Sequence, residues 1–272
     1  MASQKTFCIV TGASRGIGRA IAITFATSFS AESRIVVTGR SVEALNETKQ
    51  MIQAAAPGVH CTVVIADHSD EDGMSNTLSE VTKDVNPEEY QQCFLINNAA
   101  SLGDVSRYAR QLDASDLSRL QKVCMLNVTS VLLLTSHFLK TFPRRDGLSR
   151  TIVTLSSLSA LVPFASCSVY CMTQAARLML FKTIALEEPD VRVLSYNPGP
   201  VDTAMFKDMQ TNSASSECRK MLEVTESEQK LLQPDQTASR LLSILEKDAF
   251  ESGAHVSYND DLAETVGNLR KK

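Results

Sequence analysis

The chain has 272 residues, 43% hydrophobic and 21% charged, with 27 Lys plus Arg against 31 Asp plus Glu for a formal net charge of −4. This globular balance excludes wholesale disorder, collagen-like repeats and disulfide-dense miniature folds, and it offers nothing to a nucleic-acid backbone or an anionic membrane surface. The seven cysteines are scattered without a C-x-x-C pair and the four histidines share no ligand spacing, so a cytoplasmic, metal-free protein is expected.

The chain begins without an apolar secretion segment, and residues 6–11 form a β-rich run ended by Gly12. Helical spacing follows over 18–29, a strand over 34–38, a helix over 41–55, a strand over 59–66 and a helix over 71–85. Next come a strand over 93–96, one long helix over 117–140, a strand over 151–155 and a helix over 169–188 that Pro189 ends. A strand over 191–196 leads into a loop at 197–199, then helices over 215–222 and 234–247 and a last strand near 254–258. The longest uninterrupted apolar run, near Val131–Leu134, reads as too short to span a bilayer.

Apolar strands alternating with helices imply right-handed crossovers and a parallel sheet covered on both faces. The fold class is therefore α/β: one doubly wound, Rossmann-type domain over residues 1–260. Residues 261–272, with the basic run Arg270-Lys271-Lys272, read as a solvated tail. Two stretches, Val128–Leu139 and Ala175–Leu186, are more apolar than a one-sided helix needs. Deep packing on the sheet and a subunit interface would each explain them.

Between the first strand and first helix stands Thr11-Gly12-Ala13-Ser14-Arg15-Gly16-Ile17-Gly18. Gly12 permits a sharp turn, Gly16 lets backbone approach a pyrophosphate, and Gly18 lets the helix sit close to the sheet. The second strand ends at Arg40 with no acid to hold a ribose 2′-hydroxyl, so Arg40 and Arg15 point to a 2′-phosphate and hence to NADP(H). Asp67 and His68 end the third strand beside the adenine edge, and Asn97 to Ala100 end the fourth beside the same cofactor. Ser157 ends the fifth strand, where ligands bind on this architecture, and Tyr170 opens the next helix thirteen residues later. A phenol that donates a proton and a hydroxyl that holds the oxygen are what carbonyl reduction needs.

Thr11-Gly12-x3-Gly16-x-Gly18, Asn97-Asn98-Ala99, Asn127, Ser157, Tyr170 and Pro198-Gly199 together resemble the single-domain short-chain dehydrogenase/reductase family. The strings at 96–106, 186–194, 197–203 and 252–256 narrow the resemblance to members that reduce pterin side-chain carbonyls. It implies an NADPH-dependent, cytosolic homodimer acting on a small carbonyl substrate. In that scheme Ser157 orients the carbonyl, Tyr170 donates the proton and Asn127 holds a water on the relay side. The cofactor would lie against Gly12, Ser14, Arg15, Gly16, Ile17, Gly18, Arg40, Asp67, His68, Asn97, Ala99, Gln174, Pro198, Val201, Thr203 and Met205. The substrate would lie against Ser157, Leu158, Tyr170, Gly199 and Ser257, with the 201–206 loop closing over the nicotinamide.

Two positions depart from that pattern. Gln174 stands where the family has a lysine that bonds the nicotinamide ribose and lowers the tyrosine pKa; the amide keeps the bond and brings no charge. Ser257 stands where the pterin-reducing members carry an aspartate, and a serine forms no charged bidentate contact. Asp260 or Asp261 lies about 10 Å farther along an extended chain. The departures leave two alternatives beside pterin reduction: a reductase of other dicarbonyls, and an NADP-binding protein with little catalysis.

Overall fold

The computed structural model describes residues 4–260; the tail read over 261–272, Asp261 included, lies outside the described residues. Seven strands form one parallel sheet in the order β3-β2-β1-β4-β5-β6-β7: β1 (Thr6–Thr11), β2 (Arg34–Gly39), β3 (His60–Ile65), β4 (Gln92–Asn97), β5 (Ser149–Leu155), β6 (Val191–Asn197) and β7 (Ala254–Ser257). The order reverses between β1 and β4. That switch point opens a crevice beyond the carboxyl ends of these strands, where α/β sheets bind ligands.

Successive strand side chains point to opposite faces, so each buried strand feeds two cores. Cys8 and Val10 face α1 (Gly16–Ser28), α2 (Val42–Ala55) and α9 (Pro234–Lys247), against Phe25, Ile52 and Leu241. Phe7 and Ile9 face the other way, onto Met74 of α3 (Glu71–Glu80), Phe138 of α5 (Ser130–Thr141) and Phe181 of α6 (Ser168–Glu187). The doubly wound α/β reading is thus realised, with helices on both faces of the sheet.

The long helix read over 117–140 is not uniform. α4 (Leu117–Cys124) passes through one π-helical turn, Met125–Thr129, before α5 begins. Together with the short turn before it, this run from Ala114 to Thr141 is long and apolar enough, by length and composition, to cross a membrane. The expectation that no such stretch exists therefore fails, because it counted only uninterrupted apolar residues. Val131, Leu134 and Phe138 of this run are buried in the core beneath the sheet. Two short helices, α7 (Ala204–Asn212) and α8 (Ser216–Ser227), follow β6; α7 begins inside the stretch read as the 201–206 loop and continues through residues to which the sequence assigned no element. Thr203 caps α7, its hydroxyl accepting from Phe206 N at 3.2 Å.

Arg150 on β5 is buried and ends on Asp190 at 2.5 Å, with Glu188 at 3.4 Å and the Phe142 carbonyl at 3.0 Å. Burial alone would raise the Asp190 carboxyl, but the Arg150 hydrogen bond and charge outweigh it and hold the group below its ordinary value. A depressed carboxyl stabilises the fold above its unfolded pKa and loses that contribution as pH falls through the folded one. Asp190→Asn should therefore lower stability at neutral pH by roughly 1–3 kcal/mol and flatten the loss of stability as pH falls below about 4. Urea melts of both proteins across that range check this, and parallel pH curves would refute it.

Candidate active site

At the switch point the glycine turn is knotted to the end of β4. Asn98 Nδ2 donates to the carbonyls of Thr11 at 2.9 Å and Gly12 at 3.1 Å, while Thr11 Oγ1 accepts from the amides of Asn98 and Ala99, both at 3.0 Å. Gly12 sits at φ +66°, in the left-handed region, and a side chain on it would meet Ala99 Cα at 2.9 Å. A Cβ on Gly18 would lie 2.4 Å from both Asn98 Nδ2 and the Gly12 carbonyl. α1 then starts with no side-chain cap and no acid in its first turn, leaving its amide donors open toward the crevice.

That crevice is a cleft of about 940 Å³. One end holds Ser14, Arg15, Gly16, Ile17, Arg40, Asp67 and His68. Arg40 Nη1 stands 3.6 Å from Asp67 Oδ2 across this end. Burial would raise the Asp67 carboxyl, but the Ser69 amide and hydroxyl and the Arg40 charge hold it below the usual carboxylate range. The first turn of α3 presses on the same residue, since a Cβ on Gly73 would fall 2.0 Å from the Asp67 carbonyl. His68 lies 3.3 Å from Thr38 Oγ1, and burial pushes it down to about 4, so it is neutral at physiological pH.

The middle and far end bring together Ser157, Leu158, Tyr170, Gln174 and Ser257 with Pro198, Gly199, Val201, Thr203 and Met205. Ser157 Oγ accepts from Ser159 N at 3.2 Å, which leaves its own proton free to donate. Burial pushes the Tyr170 phenol up, opposed by the Arg177 charge and by hydrogen bonding to Ser157 and Gln174. Gln174 is 1% exposed, borders the cleft, and its Oε1 has no hydrogen-bond partner. A buried amide oxygen without a donor is a costly vacancy that a ligand hydroxyl would fill.

Two sequence-chosen residues lie elsewhere. Asn97, expected beside the cofactor, is buried off the cleft, its Nδ2 on Thr135 Oγ1 at 3.4 Å and its carbonyl on Arg177. The strand pleat turns its side chain away, and Asn98 and Ala99 border the cleft instead. Asn127, expected to hold a relay water, is fully buried in the π turn. Its side chain is consumed by the Ser101 amide and carbonyl, both at 2.8 Å, and by Thr173 Oγ1 at 3.0 Å. A third expectation also changes. The chain turns after Ser257, Asp260 N donating to the Ser257 carbonyl at 3.0 Å, so the Asp260 carboxylate returns to accept from Ser257 N at 2.7 Å. The extended-chain separation of about 10 Å does not apply.

Sequence reading expected closure by residues 201–206 but missed the rest of the cleft's cover. Phe164, with Phe206 and Met209 of α7 and Met221 and Leu222 of α8, forms an apolar wall of the cleft, and Phe164 and Met209 pack against the cluster that holds Tyr170. The spacing of Met205, Phe206 and Met209 was the signal available, weak over nine residues. The knot sets one test. Gly18→Ala should cost roughly 1–3 kcal/mol and weaken dinucleotide binding, read by thermal melts and cofactor fluorescence titration; an unchanged affinity would show the contact to be slack.

The description "short chain dehydrogenase" matches residues 6–214. The chain is 42% identical over 257 residues to a sepiapterin reductase of Bos taurus, covering 94% of this chain and 96% of that one. It is 31% identical over 247 residues to a benzil reductase ((S)-benzoin forming) of Bacillus subtilis, covering 88% and 93%. Its fold matches that of L-sorbose reductase from Gluconobacter frateurii, solved with NADPH and L-sorbose, at a TM-score of 0.75 and 22% identity over 94% and 96% of the two chains. With the glycine turn, Ser157 and Tyr170 gathered at one cleft, the chain belongs to the short chain dehydrogenase family of nicotinamide-dependent oxidoreductases.

Proposed function

We propose that this protein is an NADPH-dependent carbonyl reductase of the sepiapterin reductase type, reducing the side-chain carbonyls of a pterin in tetrahydrobiopterin synthesis. The observation that carries the reading is the meeting of Ser157, Tyr170 and the orphaned Gln174 Oε1 in the cleft that begins at the glycine turn. The residues fit the dinucleotide. The open α1 amides suit a pyrophosphate, Arg15 and Arg40 suit a 2′-phosphate, and Gln174 Oε1 suits a ribose hydroxyl. When bound, the nicotinamide supplies the hydride.

The protein's own groups manage the oxygen. Ser157 Oγ donates to the substrate carbonyl, and Tyr170 Oη gives its proton as negative charge develops there. A phenol raised by burial stays protonated through neutral pH, the form that reduction requires. The apolar wall from α7 and α8 excludes water and receives a flat or bulky substrate. A second reading, reduction of aromatic dicarbonyls, draws on the uncharged Ser257 position and on the likeness to the benzil reductase.

The reading extends to a cytoplasmic homodimer. Five of the seven cysteines are buried free thiols, which suits a reducing compartment. On α6, Met172, Met179 and Leu186 are 54, 63 and 83% exposed, and their seven-residue spacing aligns them in one stripe; Leu132 and Leu133 of α5 are exposed as well. Met179→Glu should shift the sedimentation coefficient from dimer to monomer, and a parent that sediments as a monomer would refute the assembly.

NADPH oxidation with sepiapterin and with benzil tests the activity. Sepiapterin should be turned over in preference to benzil. Tyr170→Phe should lose roughly 10²–10⁴-fold in kcat while binding NADPH, and Arg40→Ala should weaken NADPH by roughly tenfold or more. Preference for benzil would favour the second reading. NADPH binding without turnover of either substrate would refute both.

A further inference from the structure

α6 carries a buried cation to which the proposed reaction assigns no part. Arg177 is 0% exposed, yet all of its hydrogen-bond acceptors are neutral: Thr154 Oγ1 at 3.0 and 2.8 Å, the Asn97 carbonyl at 2.6 Å and the Ala99 carbonyl at 3.2 Å. No carboxylate pairs with it among the described residues. Burying a guanidinium without a counter-ion is expensive, and hydrophobic residues would stitch β4, β5 and α6 together at less cost. Such a charge is retained where an anion forms nearby.

Tyr170, Gln174 and Arg177 follow one another at i, i+4 and i+7 of α6 and all three are buried, so they form one inward stripe. We propose that Arg177 is the cation that stabilises the Tyr170 phenolate, an electrostatic positioning residue that does for this site what the uncharged Gln174 does not. The proposal rests on Tyr170 being the proton donor. The proton leaves Tyr170 Oη for the substrate oxygen, the electron pair of the broken O–H bond stays on the phenolate, and solvent later returns a proton. Arg177 favours the charged state and thereby eases the departure.

Coupling supports the geometry. Opposing the burial that raises Tyr170, the Arg177 charge is the largest influence lowering it; burial of Arg177 pushes the guanidinium down to about 10, with Tyr170 acting against that shift. The other titratable group acting on Tyr170 is Cys167 on the same helix, itself raised to about 12 by burial and therefore neutral. Leu102, Val105, Phe164, Met205 and Met209, packed in the same cluster, add no charge, and the remaining thiol there is Cys171, next to Tyr170 on α6.

Ultraviolet titration of tyrosinate, taken as each protein minus its Tyr170→Phe counterpart, reads the phenol without substrate or cofactor. Arg177→Gln should raise the Tyr170 ionisation by about one unit or more, equal to roughly tenfold less phenolate at a given pH. Arg177→Lys, which keeps the charge and loses the fork of hydrogen bonds, should stay within about 0.3 unit of the parent. Gln174→Lys added to Arg177→Gln should bring the ionisation back while any loss of stability remains. An unmoved phenol in Arg177→Gln, or equal rises in the Lys and Gln variants, would overturn the proposal. If Arg177→Gln fails to fold, Arg177→Met, uncharged and of similar length, takes its place in the same titration with the same expected rise and the same overturning result. Full turnover by Tyr170→Phe would sink the proton-donor reading, an outcome distinct from any titration result.

Discussion

Everything at this site depends on how closely three backbone segments approach one another where β1 and β4 end. Asn98 binds two successive carbonyls of the glycine turn, Thr11 returns two hydrogen bonds to the end of β4, and Gly18 leaves no room for even a methyl group between them. The knot fixes where α1 begins. An uncapped helix start aimed into a crevice is a fixed set of partial positive charges, available to an anion without rearrangement. The same stretch, Asn97 to Ala99, supplies two of the carbonyls that hold Arg177, so the phosphate end and the proton-transfer end share one strand terminus.

The proton-transfer half is governed by desolvation. Tyr170, Gln174 and Arg177 are buried together, and each departs from what water would allow: a raised phenol, an amide oxygen without a donor and a guanidinium without a carboxylate. Unmet electrostatic demand of this kind is what a protein core excludes and a reaction site retains. Ser157 is the counterexample, accepting from Ser159 N while its hydroxyl hydrogen-bonds the Tyr170 phenol.

The sequence made the alternation of strands and helices legible because strands buried on both faces read as unbroken apolar runs. The glycine turn and the Ser157–Tyr170 spacing were legible because few residue types meet those steric and chemical demands. Three things escaped for physical reasons. The side chain of Asn97 turns away by the pleat, which a motif string does not encode. Asp260 comes back to Ser257 through a turn, where reasoning from an extended chain set it far off. Arg177 stands two turns from Tyr170, beyond the one-turn rule for helix neighbours, and acts through a buried stripe whose low dielectric lets charge reach farther.

The π turn at Met125–Thr129 bears on how such a chain tolerates change in length. A helical residue advances the side-chain direction by about 100°, so the residues before and after this turn keep registers that an unbroken α-helix would not satisfy together. Before it, α4 is mostly solvent-facing; after it, Val131, Leu134 and Phe138 must meet the sheet. Asn127, bonded within the turn to the Ser101 backbone and to Thr173, pins the place where the mismatch is absorbed. Winding this stretch as an unbroken α-helix without losing a residue would swing the buried face of α5 about 100° away from its core, whereas loss of one codon here would restore ideal geometry with both faces still in register. The irregular turn is where the helix carries one residue more than its two registers need, and a deletion is tolerated there only if the Asn127 bridge to Ser101 can be spared.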